Sequence, residues 1–268
     1  MTRSAVSKIF AGTLSLLWAV AASAQFADSP VSAGVVKLFG GASFVARADV
    51  RVLDTNRQEN LRTPVSFALL EGRMQLEIDM TRMTGKVVQP AAVTAYKQIG
   101  LERVVSIFRP DKKMIHLVFT GVRSYASVEM SPAEIEATQK NLKIQKTALG
   151  QETVDNHPCT RNKVVIKNPK GAVLLEATTW NATDLKDFPV QIAVPAKEGT
   201  TILRFSQIQI GRPAAAQFEP PAGFTKYHSP DTLVYAARTK QTAPTAPSRP
   251  AAPKAPAKAD ARTATTRK

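Results

Sequence analysis

Polar and apolar residues alternate one by one along most of this chain. That two-residue period turns one strand face toward a core and the other toward water. The cleanest run is Arg73 to Met80, where Met74, Leu76, Ile78 and Met80 interleave with Arg73, Gln75, Glu77 and Asp79. Phe188, Val190, Ile192 and Val194 repeat the pattern, and Phe44 to Val52 and Val65 to Leu69 follow it more loosely. These stretches predict half-exposed antiparallel strands. Val104 to Phe108 and Met114 to Phe119 are apolar at successive positions and therefore predict cover on both faces, with a helix over that part of the sheet.

Turn signals separate the runs: Arg109-Pro110-Asp111-Lys112, Lys167-Asn168-Pro169-Lys170-Gly171 and Ala196-Lys197-Glu198-Gly199. With these breaks the pattern predicts eleven strands, at 43–53, 62–70, 73–80, 103–109, 113–120, 123–129, 142–149, 160–168, 172–180, 188–195 and 201–210. A sheet that large must curl or close. Two helices interrupt it. Ser131-Pro132-Ala133-Glu134 is a capping box with proline at the first helical position and predicts a short helix to about Asn141. Pro90 to Ile99 is alanine-rich and stops at Gly100, which predicts a second. The fold class is mainly β with short helices, an α+β arrangement.

The two ends differ from this body. Arg3 and Lys8 precede an apolar run from Ile9 to Ala21, and Ala22-Ser23-Ala24 follows, the pattern of a cleaved secretory signal peptide over residues 1–24. The run is shorter than the roughly 20 residues that span a bilayer. No cysteine stands at the cut, so lipidation of a new N-terminal cysteine is excluded and a periplasmic or secreted location is expected. Residues 25–42 read as a linker, 43–228 as the domain and 229–268 as a disordered, basic, Pro/Ala-rich tail. From Arg238 onward eight basic residues less Asp260 leave +7, and two more belong to the signal, so +6 of the formal +15 remains for residues 25–237. Such a tail suits anionic envelope polymers or a membrane surface, or serves as a solubilising spacer. Export makes nucleic acid an unexpected partner.

The order of local motifs resembles the LolA/LolB superfamily of bacterial lipoprotein carriers, in particular its uncharacterised secreted relatives, which carry a domain of unknown function. The resemblance rests on Glu71 to Glu77 (EGRMQLE), Phe108 to Met114 (FRPDKKM), Arg123-Ser124-Tyr125, Gly150 to Val154 (GQETV), Trp180 to Val190 (WNATDLKDFPV) and Phe218 to Phe224 (FEPPAGF), and it runs from about Phe44 to Phe224. It implies an open, strongly curved antiparallel half-barrel whose concave side is plugged by helices around an apolar cavity for acyl chains. The expected ligand is accordingly a lipid or an acylated lipoprotein. The residues expected to line the cavity are Val50, Val52, Phe67, Leu69, Met74, Leu76, Ile78, Met80 and Trp180, with Arg73 and Gln75 at a lid or polar rim. The family favours an arginine where Gln75 stands and an aromatic where Leu76 stands. Glutamine forms hydrogen bonds but offers no permanent charge and no bidentate fork.

Catalytic patterns are missing from the sequence. There is no Gly-x-Ser-x-Gly, His-Glu-x-x-His, Gly-x-Gly-x-x-Gly or Walker-type loop, so no enzyme activity and no cofactor are expected. A single cysteine excludes an intramolecular disulfide and any multi-cysteine metal site. His157 and Cys159 in Asp155-Asn156-His157-Pro158-Cys159 have the look of half a metal site, but Pro158 suits a turn and no further ligand is near in sequence. Cys159 is expected to be buried and inert, His116 to be a sheet residue and His228 to be exposed. Glu77 and Asp79 share the wet face of their strand, which is expected of a solvated sheet without any paired acid site. Asn181-Ala182-Thr183 fits a glycosylation sequon, rarely used by a bacterial relative.

Overall fold

The computed structural model describes residues 31–242. The expected signal peptide and the end of the basic tail lie outside the described residues. Twelve strands form one open sheet: β1 (Phe44–Leu53), β2 (Glu59–Leu70), β3 (Arg73–Asp79), β4 (Arg103–Arg109), β5 (Met114–Phe119), β6 (Ser124–Glu129), β7 (Lys143–Val154), β8 (His157–Lys167), β9 (Val173–Ala182), β10 (Phe188–Ala196), β11 (Gly199–Ile210) and β12 (Thr225–Tyr227). Their spatial order is β12-β6-β5-β4-β3-β2-β1-β11-β10-β9-β8-β7. The sheet is thus two meanders, β1 to β6 and β7 to β11, joined where β11 pairs with β1. The unpredicted twelfth strand is a three-residue piece running parallel to β6.

Hairpins fix the meander locally. Glu71 and Gly72 form the two-residue link between β2 and β3 with φ of 51° and 83°, and Asp155 and Asn156 link β7 and β8 with φ of 47° and 66°. Positive φ at both positions matches the twist of flanking antiparallel strands. Glu71-Gly72 belongs to one of the motifs that carried the resemblance, and here its role is to set strand register.

Among the described residues four helices accompany the sheet: α1 (Val31–Leu38), α2 (Pro90–Gln98), α3 (Pro132–Ala137) and α4 (Pro230–Thr242). Those expected at Pro90 and Pro132 are present, and the Ser131 capping box is formed in both directions. The other two correct the expected domain limits. Residues assigned to a linker form α1, which buries Ala33, Val35 and Val36 and is followed by buried Phe39. Residues 230–242, assigned to the disordered tail, form α4, anchored by Leu233, Val234 and Ala237. Ser229 Oγ accepts from Thr232 N at 3.2 Å and starts it as an N-cap, with Pro230 next. Basic composition hid three apolar residues on one helical face.

The face carrying the helices holds the main core. Phe44, Ala46, Ala48, Val65, Phe67, Leu69, Ile78, Val104 and Phe108 alternate inward and meet Phe39, Tyr96, Leu233 and Val234. Along β11 this phase reverses at a bulge opposite Val45 to Arg47. Leu203 and Phe205 are inward, so plain alternation would send Gln207 and Gln209 inward too. With the extra residue, whose φ of 50° falls on Gln207, Ile208 joins the core instead.

The strands with two apolar faces are β4 and β5, as expected, and their outer cover is irregular chain with one short 3-10 helical turn, Ala215–Phe218. A strap, residues 211–224, crosses them and buries Phe218 against Ala68, Leu70, Val105, Ile107 and Val118. Arg109, 4% exposed, holds it there: Nη1 donates to Phe218 O at 3.0 Å and to Glu219, while Nε and Nη2 donate to Asp111 at 2.8 and 2.6 Å. Lys112 Nζ adds 3.0 Å contacts to both Glu219 oxygens. The FRPDKKM and FEPPAGF motifs are therefore the two halves of one clasp.

Candidate functional site

The cavity expected at the centre of the concave face is closed. Phe39, Phe44, Phe67, Phe188 and Phe205 fill it, with centroid separations among the ring pairs from 4.7 to 6.3 Å. Phe67, Leu69, Ile78 and Met80 lie in this packed interior at 4% exposure or less. Val50, Val52, Met74 and Leu76 are half-buried against it.

Three expected site residues are elsewhere. Trp180 alternates with buried Thr179 and Asn181, is paired opposite Arg161 and donates from Nε1 to Glu152 at 2.7 Å, while its half-buried ring packs on the margin of the main core. Arg73 and Gln75 alternate with the inward residues of β3 and also face outward. Arg73 bonds Glu71 at 3.1 Å and stands 5.7 Å above the Phe218 ring. Neither forms a rim for the concave side, because in a strand one residue's step reverses the face.

Open space remains at one end, where α1 leaves the sheet. A cleft of about 630 Å³ lies between the segment Lys37 to Ala42 and strands β7 to β10, reaching Ile210. It forms here for two local reasons. Gly34 lets α1 sit so close to β9 that an added Cβ would meet Leu175 at 3.0 Å, and Gly40 and Gly41, with φ of 59° and 84°, turn the chain away immediately after the helix. The far side of the cleft is β7, an edge strand paired only to β8.

Leu38, Phe39, Val164, Leu185, Phe188 and Pro189 give the cleft an apolar wall. Ile144 and Ile210, 51% and 47% exposed, stand on it as well. Together they extend the apolar surface of the cleft out to its mouth. Polar groups on the floor are paired with one another: Asn181 Oδ1 accepts from Thr179 Oγ1 at 2.7 Å and from Asn162 Nδ2 at 3.1 Å, and Asn181 Nδ2 donates to Asp187 O at 2.8 Å. With Asn181 only 4% exposed, its sequon is closed to a glycan in the folded chain.

Cations surround the apolar wall. Lys37, Lys146 and Lys186 all line the cleft. Lys146 pairs with Asp187 at 2.7 Å, and Lys37 donates to Thr138 O at 3.1 Å. Burial, with Lys140 nearby, pushes the Lys37 ammonium below its ordinary range. The arrangement is a greasy slot with a positive border, suited to an amphiphile with an acidic or neutral head.

The remaining candidates for chemistry stay apart. His157 Nδ1 is 2.8 Å from Asp184 Oδ2, and Cys159 is buried with Sγ donating to His157 O at 3.3 Å. Burial pushes the thiol up, away from the reactive thiolate. Among the described residues, no group of three or more His, Cys, Asp or Glu is placed to hold a metal. His116 is buried with Nδ1 2.9 Å from Ser127 Oγ, and Nε2 has no partner among the described residues. His228 is exposed. Asp79 caps the turn at Thr81 and is 3.6 Å from Arg103, so it forms no acid pair with Glu77.

The sequence pattern missed α1, one of the elements that make the cleft, while the part of β7 carrying Ile144 and Lys146 falls in the strand expected at 142–149. The run Val31 to Phe39 contained the signal for α1, an apolar face at helical spacing.

The described residues define a mainly β protein, an open twelve-stranded sheet with four short helices. No protein-family model and no curated protein sequence matches the chain. Similar solved structures include LolA superfamily protein NE2245 from Nitrosomonas europaea, 12% identical over 68% of this chain and 91% of that one, TM-score 0.37. Mycobacterium tuberculosis lipoprotein LppX is 14% identical over 67% and 92%, TM-score 0.35. LprF from Mycobacterium bovis is 11% identical over 69% and 97%, TM-score 0.33.

Proposed function

We propose that this chain is an exported envelope protein that holds an acyl chain of a lipid or lipoprotein in the cleft beneath α1, and that it acts by binding and not by catalysis. The observation that carries this reading is the pair Ile144 and Ile210, both near half exposure and both on one apolar-walled cleft. Each methylene buried there contributes about 0.8 kcal/mol, so eight to ten of them offset the cost of ordering a ligand. Lys37, Lys146 and Lys186 favour an anionic head group at the border. The segment Arg3 to Ala24 supports export, and among the described residues no helix is long and apolar enough to cross a membrane.

The test is native mass spectrometry of detergent-free protein, followed by extraction of bound lipid and titration with a fluorescent fatty acid. Co-purified lipid, and fatty-acid binding that Ile144→Glu and Ile210→Glu weaken at unchanged melting temperature, is the expected result. An empty protein that takes up no fatty acid would falsify the reading.

The basic end of the chain motivates a second role, docking on an anionic envelope polymer or membrane surface. Residues 243–268 carry six Lys or Arg against Asp260. Deletion should start at 243, because α4 extends to Thr242. Loss of low-salt sedimentation with envelope fractions is expected of the deletion, and unchanged sedimentation rejects the role.

A further inference from the structure

The outer face of the sheet bears a second recess, of about 490 Å³, over β3, β2, β1 and β11. Gln75, Gln207, Gln209 and Gln217 converge on it from three separate segments. None of the four amides has a hydrogen-bond partner among the described residues. Arg47 and Glu77 add one charge of each sign, and Val45 and Ala68 give a small apolar floor. Gln207 is there because of the β11 bulge: with φ of 50° in a non-glycine residue it occupies backbone space that side chains rarely adopt, and the reversed phase turns Gln209 outward beside it. Gln217 comes from the strap clasped by Arg109.

We propose that this groove binds a neutral glycan strand. Other ligand classes fit the groove poorly. A peptide strand has nothing to pair with, since β1, β2, β3 and β11 are interior strands with both edges occupied. An acyl chain would strip water from four amides, a carboxylate and a guanidinium without replacing the lost bonds. An anion gains nothing from one arginine opposed by one glutamate. A sugar hydroxyl is both donor and acceptor and matches an amide, which offers two N–H donors and one carbonyl acceptor. The small floor leaves room for the C–H face of a pyranose ring. Unlike the acyl cleft, which is cationic and on the opposite face, this site selects for hydroxyls, so the two proposals stand or fall separately.

The experiment is a titration of the ¹⁵N-labelled full chain with chitotetraose, cellotetraose and maltotetraose, observing the glutamine side-chain NH2 signals by NMR. At least one of the three shifts the signals of Gln75, Gln207, Gln209 and Gln217, with saturation in the micromolar to low millimolar range. Gln75→Ala and Gln209→Ala each weaken binding roughly fivefold, as loss of a neutral hydrogen bond implies. Gln75 and Gln209 point outward from the sheet, so these variants keep the melting temperature of the parent, and fatty-acid binding to the other face is unchanged. No shift with any of the three sugars overturns the proposal. So does binding that survives the Gln75→Ala/Gln209→Ala double substitution, or salt-sensitive preference for an anionic hyaluronan tetrasaccharide.

Discussion

Replacing Arg109 by methionine tests whether the clasp on the outer face holds the strap. Methionine keeps an unbranched apolar stem but removes every donor. The largest loss is at Phe218, whose carbonyl accepts from Arg109 at 3.0 Å within a residue that is 0% exposed. A buried carbonyl left without a donor costs about 1–3 kcal/mol. Asp111 and Glu219 are 52% and 42% exposed and regain water, so each ion pair contributes at most about 1 kcal/mol. The sum is about 1–5 kcal/mol. For a body of this size that lowers the melting temperature by roughly 2–20 °C.

The substitution also changes how stability depends on pH. Hydrogen bonds from Arg109 hold the Asp111 carboxyl below its ordinary range against some burial. At Glu219 burial by itself raises the carboxyl, but the bonds from Arg109 and Lys112 together outweigh it and leave the group below its ordinary value. A carboxylate depressed in the folded state stabilises the fold above the unfolded pKa and loses that contribution as pH falls through the folded value. The parent chain should therefore lose stability from about pH 4 downward, and Arg109→Met should show a shallower acid slope. Urea titrations of both proteins from pH 7 to pH 2 measure both quantities. A change under about 1 kcal/mol at neutral pH, or an acid slope identical to the parent, refutes the account of the clasp.

Three further outcomes are expected. Phe67→Ala removes a ring that packs on Phe39, Phe44 and Phe205 at 5.4–5.7 Å and should cost about 3–5 kcal/mol in urea unfolding; a cost below about 1 kcal/mol would mean the centre of the hollow is open. Gly199→Ala places a Cβ 1.8 Å from Leu53 O at a φ of 145°, and should lower stability by about 1–3 kcal/mol in differential scanning calorimetry. Cys159 should resist a thiol-specific reagent in the native protein and react at once in guanidinium, because the side chain is buried and its ionisation disfavoured; fast native labelling would contradict that burial.

Strand positions were legible because alternation is a local property, written into consecutive residues. Met74, Leu76 and Ile78 declared one face of β3, and all three do turn toward the main core. The two capped or proline-started helices were legible for the same reason. Helix α4 was not, since its basic and proline-rich surroundings masked the stripe formed by Leu233, Val234 and Ala237.

The site was far less accessible. Which face of a strand is concave depends on how the whole sheet curves, so the outward position of Arg73 and Gln75 followed only from their partners. The sequence could mark Phe44, Phe67, Phe188 and Phe205 as apolar, yet not that rings from four distant strands meet Phe39 and fill the centre. By itself the chain determined a two-faced, strand-rich body with few helices and an exceptionally basic end. Tertiary structure alone decided where empty space was left, because a cavity is the volume that packing fails to fill, and that depends on side chains distant in sequence sharing one place.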